Sequence, residues 1–106
     1  MQGDAKAQFT LGSWYYYGKR YLYEDQGKGI PQKYIEAVKW YHKAAEHGHA
    51  SPQLQFNLGA CYFYGLGVPA NKEEGIKWWL KAAEQGFVNA QYGLALHYLL
   101  LYRSGD

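Results

Sequence analysis

Histidine supplies the metal-binding or acid–base chemistry that the spacing of this sequence most invites. Glu46, His47 and His49 surround Gly48, and imidazoles with a carboxylate are a donor set for zinc. The glycine splays the two rings apart, and no third ligand recurs nearby, so the segment reads as a solvated helix end where histidine suits the carbonyl dipole. His42 aligns with Leu80 of a later repeat, which marks a tolerant surface position. His97 aligns with Cys61 and Trp14, which marks an adaptable, partly buried one. Cys61 is the one cysteine of the chain, which leaves no intrachain disulfide and no cysteine-based zinc site. It falls mid-helix, away from the N-terminal dipole that lowers a thiol pKa, and reads as a small core hydrophobe. Ser13, Ser51 and Ser104 have no nucleophile-elbow context. Glu73 and Glu74 suit the first turn of a helix. Gly65-Leu66-Gly67 and Gly27-Lys28-Gly29 are turns rather than phosphate loops. No convergent catalytic set can be assembled, so the expectation is a chain without enzymatic activity, cofactor or metal.

Composition narrows the classes further. The 106 residues suit one domain; 48% are hydrophobic and 19% charged, a globular balance. A net charge of +2 provides no basic stripe for nucleic acid, although the aromatic residues invite base stacking. The apolar run Leu94 to Tyr102 is interrupted by His97 and is too short to span a bilayer. The start, Met1-Gln2-Gly3-Asp4, opens no apolar signal segment. A cytoplasmic location is therefore expected for the sequence as written, or a periplasmic or secreted one if it is part of a longer chain. Twelve tyrosines and four tryptophans suit tight helix pairs and sticky recognition surfaces.

The elements that position these residues come from an internal repeat. Trp40-Tyr41-His42-Lys43-Ala44-Ala45-Glu46-His47-Gly48 returns 38 residues later as Trp78-Trp79-Leu80-Lys81-Ala82-Ala83-Glu84-Gln85-Gly86. Gln8-Phe9-Thr10-Leu11-Gly12 returns as Gln55-Phe56-Asn57-Leu58-Gly59 and as Gln91-Tyr92-Gly93-Leu94-Ala95, at shifts of 47 and 36. Each unit reads as two helices. Leu11, Gly12 and Tyr15 recur as Leu58, Gly59 and Tyr62, with leucine and tyrosine an i, i+4 step apart on one face. A repeated mid-helix glycine costs about 1 kcal/mol against alanine, which implies a neighbour too close for a Cβ. Ala45 and Ala83 provide small packing positions on the second helices. The spacing predicts helices over 4–17, 32–47, 52–64, 71–85 and 88–102, with Asn71 capping the fourth and Gly48 and Gly86 stopping the second and fourth. Repeat one spans 4–48 with an insertion at 18–26, read as an extension of the first helix. Repeat two spans 52–86 and a half repeat 88–102. Leucine nearly all round the last helix implies self-association or partner docking there.

The strings Gln55 to Val68 and Ile76 to Gly86 resemble the Sel-1-like repeat, a relative of the tetratricopeptide repeat. The second unit matches almost throughout, the first apart from its insertion. The third departs from the pattern with Ala95 at the glycine and no second helix. The resemblance implies an all-α, right-handed α/α superhelix whose concave face binds a protein or peptide. Carried onto these residues, it places Lys6, Phe9, Ser13, Tyr16 and Tyr17 on that face in unit one. Gln53, Phe56, Ala60, Phe63 and Tyr64 follow in unit two, and Asn89, Tyr92, Leu96, Leu99 and Leu100 in the last helix. Of these, Phe9, Phe56 and Tyr92 are expected to pack between helices, while Tyr16, Tyr17, Phe63 and Tyr64 stay exposed. The expected function is a scaffold or adaptor for a protein partner, with no nucleic acid and no membrane. The alternative is an inhibitor or immunity-type protein that blocks a toxin or effector.

Overall fold

The computed structural model describes residues 4–18 and 33–104. Within them five helices follow one another: α1 (Ala5–Tyr17), α2 (Tyr34–Glu46), α3 (Pro52–Tyr64), α4 (Lys72–Glu84) and α5 (Val88–Arg103). No strand occurs among the described residues. The fold is an all-α helical repeat solenoid.

Local chemistry sets the helix ends. The Asp4 carboxylate accepts the Ala7 N–H at 3.1 Å, the Ser51 hydroxyl the Leu54 N–H at 3.2 Å and the Asn71 amide oxygen the Glu74 N–H at 3.1 Å. Each satisfies a backbone donor that the first turn leaves unpaired. Pro52 starts α3 where its missing N–H costs nothing. At the other end of α1, Gly18 adopts a left-handed φ of 64° and returns its N–H to the Trp14 carbonyl at 2.9 Å. That conformation stops the helix. The expected extension of the first helix into the 18–26 insertion therefore fails at Gly18, and positions 19–26 lie outside the described residues.

The helices pack as consecutive pairs, α1 on α2 and α3 on α4, and α5 lies on α4 with a smaller contact. The second helices carry their small and aromatic residues at i, i+4 and i+7: Ala37, Tyr41 and Ala44 in α2, and Gly75, Trp79 and Ala82 in α4, all buried. The repeated glycines lie under those rings. A Cβ on Gly12 would stand 2.7 Å from the Tyr41 ring, and one on Gly59 would stand 2.5 Å from Trp79 Nε1 and 3.0 Å from the Gly75 carbonyl. The close neighbour is thus a ring in unit one, and a ring plus backbone in unit two.

Stacking of the units forms the core. Val38, Tyr41, Leu54, Leu58 and Cys61 join unit one to unit two in a single cluster. Fully burying Leu54 and Leu58 contributes about 2 kcal/mol each. Trp79, Ala82, Ala90 and Leu94 form a second cluster beneath α5. Polar latches repeat with the units. Gln8 Oε1 accepts from His47 Nδ1 at 2.9 Å, and Gln55 Oε1 accepts from Gln85 Nε2 at 2.8 Å. Both tie the start of a first helix to the end of the second helix of its pair. The resulting body is elongated, with a radius of gyration of 15.2 Å against about 13 Å for a compact domain of this length.

Candidate functional site

Each first helix presents one strip to the second helix of its own pair. In α1 the strip is Phe9, Gly12, Ser13 and Tyr16. The Phe9 and Tyr16 rings each lie 5.9 Å from the Tyr41 ring, and Ser13 Oγ is 3.0 Å from the Tyr41 hydroxyl. In α3 the strip is Phe56, Gly59, Ala60 and Phe63. Phe56 and Phe63 stack on Trp79 at 5.9 and 4.7 Å, and the Trp79 indole N–H donates to the Phe56 carbonyl at 3.1 Å. Ala60 is buried in the second cluster.

Phe9 and Phe56 lie between helices, in the seams within the helix pairs. Ser13, Tyr16, Ala60 and Phe63, expected on an open concave face, lie in the same seams, because the glycine that anchors the register sits under the second helix. Tyr16 and Phe63, expected to be exposed, are half-buried against the two clusters. Tyr17 and Tyr64, one residue further round, are exposed. Lys6 and Asn89 are exposed as well. Leu58 is fully buried between the units and Tyr62 half-buried, whereas Leu11 is half-buried and lines an open cleft on α1. Tyr15, Ala45 and Ala83 pack as half-buried neighbours of the clusters.

The same strip on α5 is open. Its register residues are Tyr92, Ala95, Leu96 and Leu99, and no helix among the described residues covers them. Tyr92, expected between helices, is 69% exposed, Leu96 is 43% exposed and Leu99 is 51% exposed. Tyr98, Leu100, Leu101 and Tyr102 extend the exposed apolar surface. Only Ala90 and Leu94 of this helix are buried.

Between α1 and α3 lies a polar network that sequence reasoning missed at its centre. Asn57 is 1% exposed. Its Nδ2 donates to the Tyr41 hydroxyl at 2.9 Å and to the Tyr17 hydroxyl at 3.2 Å. Its Oδ1 accepts from Gln53 Nε2 at 3.0 Å, and Gln53 also donates to the Tyr17 hydroxyl at 3.1 Å. Because the Tyr41 oxygen accepts from Asn57, its own proton is free for Ser13. Every amide group of Asn57 is thus used, the condition for burying it without penalty. The signal was an asparagine on the face that carries Leu54 one turn before it and Cys61 one turn after it.

The titratable groups of the core are held neutral. Burial pushes the Cys61 thiol up to about 12, so the thiolate needed for nucleophilic attack is scarce at neutral pH. Burial likewise raises Tyr41 to about 12, with the Ser13 and Asn57 hydrogen bonds opposing it. Burial, and then the neighbouring Cys61 and Tyr17, raise Tyr16. The histidines diverge. His47 bonds Gln8, His49 stacks on Phe9 at 4.5 Å, and His42 Nε2 lies 2.8 Å from the Tyr62 hydroxyl. Among the described residues no group of three or more His, Cys, Asp or Glu stands close enough to hold a metal. No helix among them is long and apolar enough to cross a membrane.

The Sel1 repeat model matches residues 5–49, 52–87 and 88–105. The chain belongs to the Sel1 repeat family. Among solved structures, a Sel1 repeat protein from Oxalobacter formigenes is similar, at 37% identity and a TM-score of 0.65 over 87% of this chain and 32% of that one. A protective antigen of uropathogenic Escherichia coli strains, displaying an SLR fold, is 43% identical, with a TM-score of 0.67 over 85% of this chain and 17% of that one. The Sel1 repeat chain therefore spans about a third and about a sixth of the lengths of these two relatives. No curated protein matches it.

Ala7, Thr10, Leu11 and Trp14 stand in the register of Leu54, Asn57, Leu58 and Cys61, which join the two units. Ala7, Thr10, Leu11 and Trp14 line an open cleft of about 420 Å3 together with Asp4 and Lys6. A second cleft, of about 320 Å3, lies where α2, α3 and α4 meet. His49 and Trp78 line it, and His49 Nε2 and Trp78 Nε1 are the buried side-chain nitrogens without a hydrogen-bond partner among the described residues.

Proposed function

We propose that this chain is a non-catalytic protein-interaction module that seats its partner on the open face of α5. Sel1 repeat proteins generally mediate protein–protein interaction, and the fold is typically a non-catalytic scaffold. The observation that carries the reading is one of register. Equivalent strips on α1 and α3 are covered by Tyr41 and Trp79, while Tyr92, Leu96 and Leu99 on α5 are exposed. A contiguous apolar helix face in water is costly and marks a site of association. The exposed Tyr17 and Tyr64 supply a second, smaller contact on α1 and α3, where a ring with a polar tip suits a wet rim.

The test is affinity capture from the native cell with the chain as bait, compared with a Leu99→Asp variant. Leu99 is half-exposed, so the charge leaves folding intact, checked by helical circular dichroism. Proteins retained by the parent chain and lost from the variant support the reading. An unchanged set of retained proteins defeats it.

A further inference from the structure

We infer that the open face of α5 is closed to a second helix of the chain's own repeat type and pairs instead with α5 of a second copy. This rests on the reading of α5 as the docking face and names its occupant.

The exclusion is steric. In the covered seams the ring of the second helix rests on a glycine. A Cβ at Gly12 would meet Tyr41 at 2.7 Å, and one at Gly59 would meet Trp79 Nε1 at 2.5 Å, well inside van der Waals contact. The α5 residue at that position is Ala95, which carries the Cβ. The next position, Ser13 in α1 and Ala60 in α3, is Leu96 in α5. The slot that admits tyrosine or tryptophan is therefore filled twice over, and a helix built like α2 or α4 cannot approach as closely.

What remains is a different seam. Tyr92, Leu96, Leu99 and Arg103 recur at spacings of four, three and four residues, the spacing by which two helices pair side by side. The set is self-complementary when a copy is turned end for end. Pairing Leu96 with the second copy's Leu99 brings Tyr92 opposite the second copy's Arg103, because both pairs share one midpoint. The twofold operation makes each contact twice. A guanidinium facing a tyrosine ring is favourable. Arg103 is the one charged residue of α5, so two copies meet without repulsion along the rest of the helix. Leu96 is 43% exposed and Leu99 is 51% exposed, which leaves both free to enter such a pair.

Light scattering on the full chain at about 100 µM, a concentration that populates even a weak dimer, is expected to give twice the mass of one chain. Leu99→Asp is expected to give a monomer with an unchanged helical spectrum. Mixing a Leu96→Cys chain with a Leu99→Cys chain under oxidation should cross-link them, and neither alone should. A monomeric parent chain overturns the inference, as does a dimer that survives Leu99→Asp or cross-links equally well in Leu96→Cys alone. So does a dimer split by a peptide of residues 71–86, which carries α4. A monomeric chain that still loses its captured proteins on Leu99→Asp sinks only the second copy. Capture insensitive to that change sinks the docking face itself.

Discussion

Asn57 shows at the scale of one residue how two units are held in register. Its amide bridges α3 to Tyr41 of α2 and Tyr17 of α1, so its loss strands partners on both. Asn57→Ala should destabilise the fold by about 2–3 kcal/mol, since it removes the hydrogen bonds to the Tyr41 hydroxyl, the Tyr17 hydroxyl and Gln53 together. Urea unfolding measures this, and a loss below about 0.5 kcal/mol, the level of an ordinary surface change, contradicts the network. Cys61 and Tyr41 give a pH signature with a defined sign. The folded chain raises them from 9.0 and 10.0 to about 12, so the neutral forms are favoured by folding. The unfolded chain begins to lose these protons first, near pH 9. Stability contributed by the two groups is therefore complete below pH 9 and is lost as pH rises from 9 towards 12. Thermal unfolding across that range should show the decline, and Cys61→Ala should remove its earliest part. A decline that starts equally early in Cys61→Ala would rule out the thiol as its cause.

At the scale of the element, the glycine-under-ring crossing decides how closely two helices approach. Gly59→Ala should cost about 1–3 kcal/mol, the usual range for overpacking. Trp79→Leu, itself destabilising, should shrink that cost in a double-mutant cycle because the clash is with the ring. An additive cycle would mean that the glycine serves some other contact. The repeats, the caps at Asn71 and Gly48, and the pairing of helices could all be read from the sequence, because each rests on local residue chemistry. The rotation of the first helices could not. α2 and α4 are strongly amphipathic, but α1, α3 and α5 carry apolar residues nearly all round, so no polar stripe marks which side faces solvent. Ser13, Tyr16, Ala60 and Phe63 therefore read as groove residues and lie in seams, while Tyr92 reads as a residue between helices and is exposed. Asn57 was missed for a related reason, since a buried asparagine is intelligible only once Tyr17 and Tyr41 are known to converge on it.

Across the described residues, the inner strips of α1 and α3 are covered, while the outer cleft of α1 and the strip on α5 are exposed. α1 shows Ala7, Leu11 and Trp14 on its outer cleft, in the register of residues that join unit one to unit two. α5 shows the strip that α1 and α3 bury. A repeat array of this kind gains its stability from nearest-neighbour contacts, so an uncovered strip is where a further contact has most to add. Tyr98, Leu100, Leu101 and Tyr102 are also exposed on α5, and all these side chains enlarge the area available to a partner. Hydroxyl-radical footprinting, run at a dilution where the chain is monomeric and normalised to the unfolded chain, measures the asymmetry most directly. Tyr92 and Leu99 should be oxidised several-fold faster than their register equivalents Phe9, Tyr16, Phe56 and Phe63. Equal protection of all three strips would mean that α5 is covered like the others, and would contradict the account.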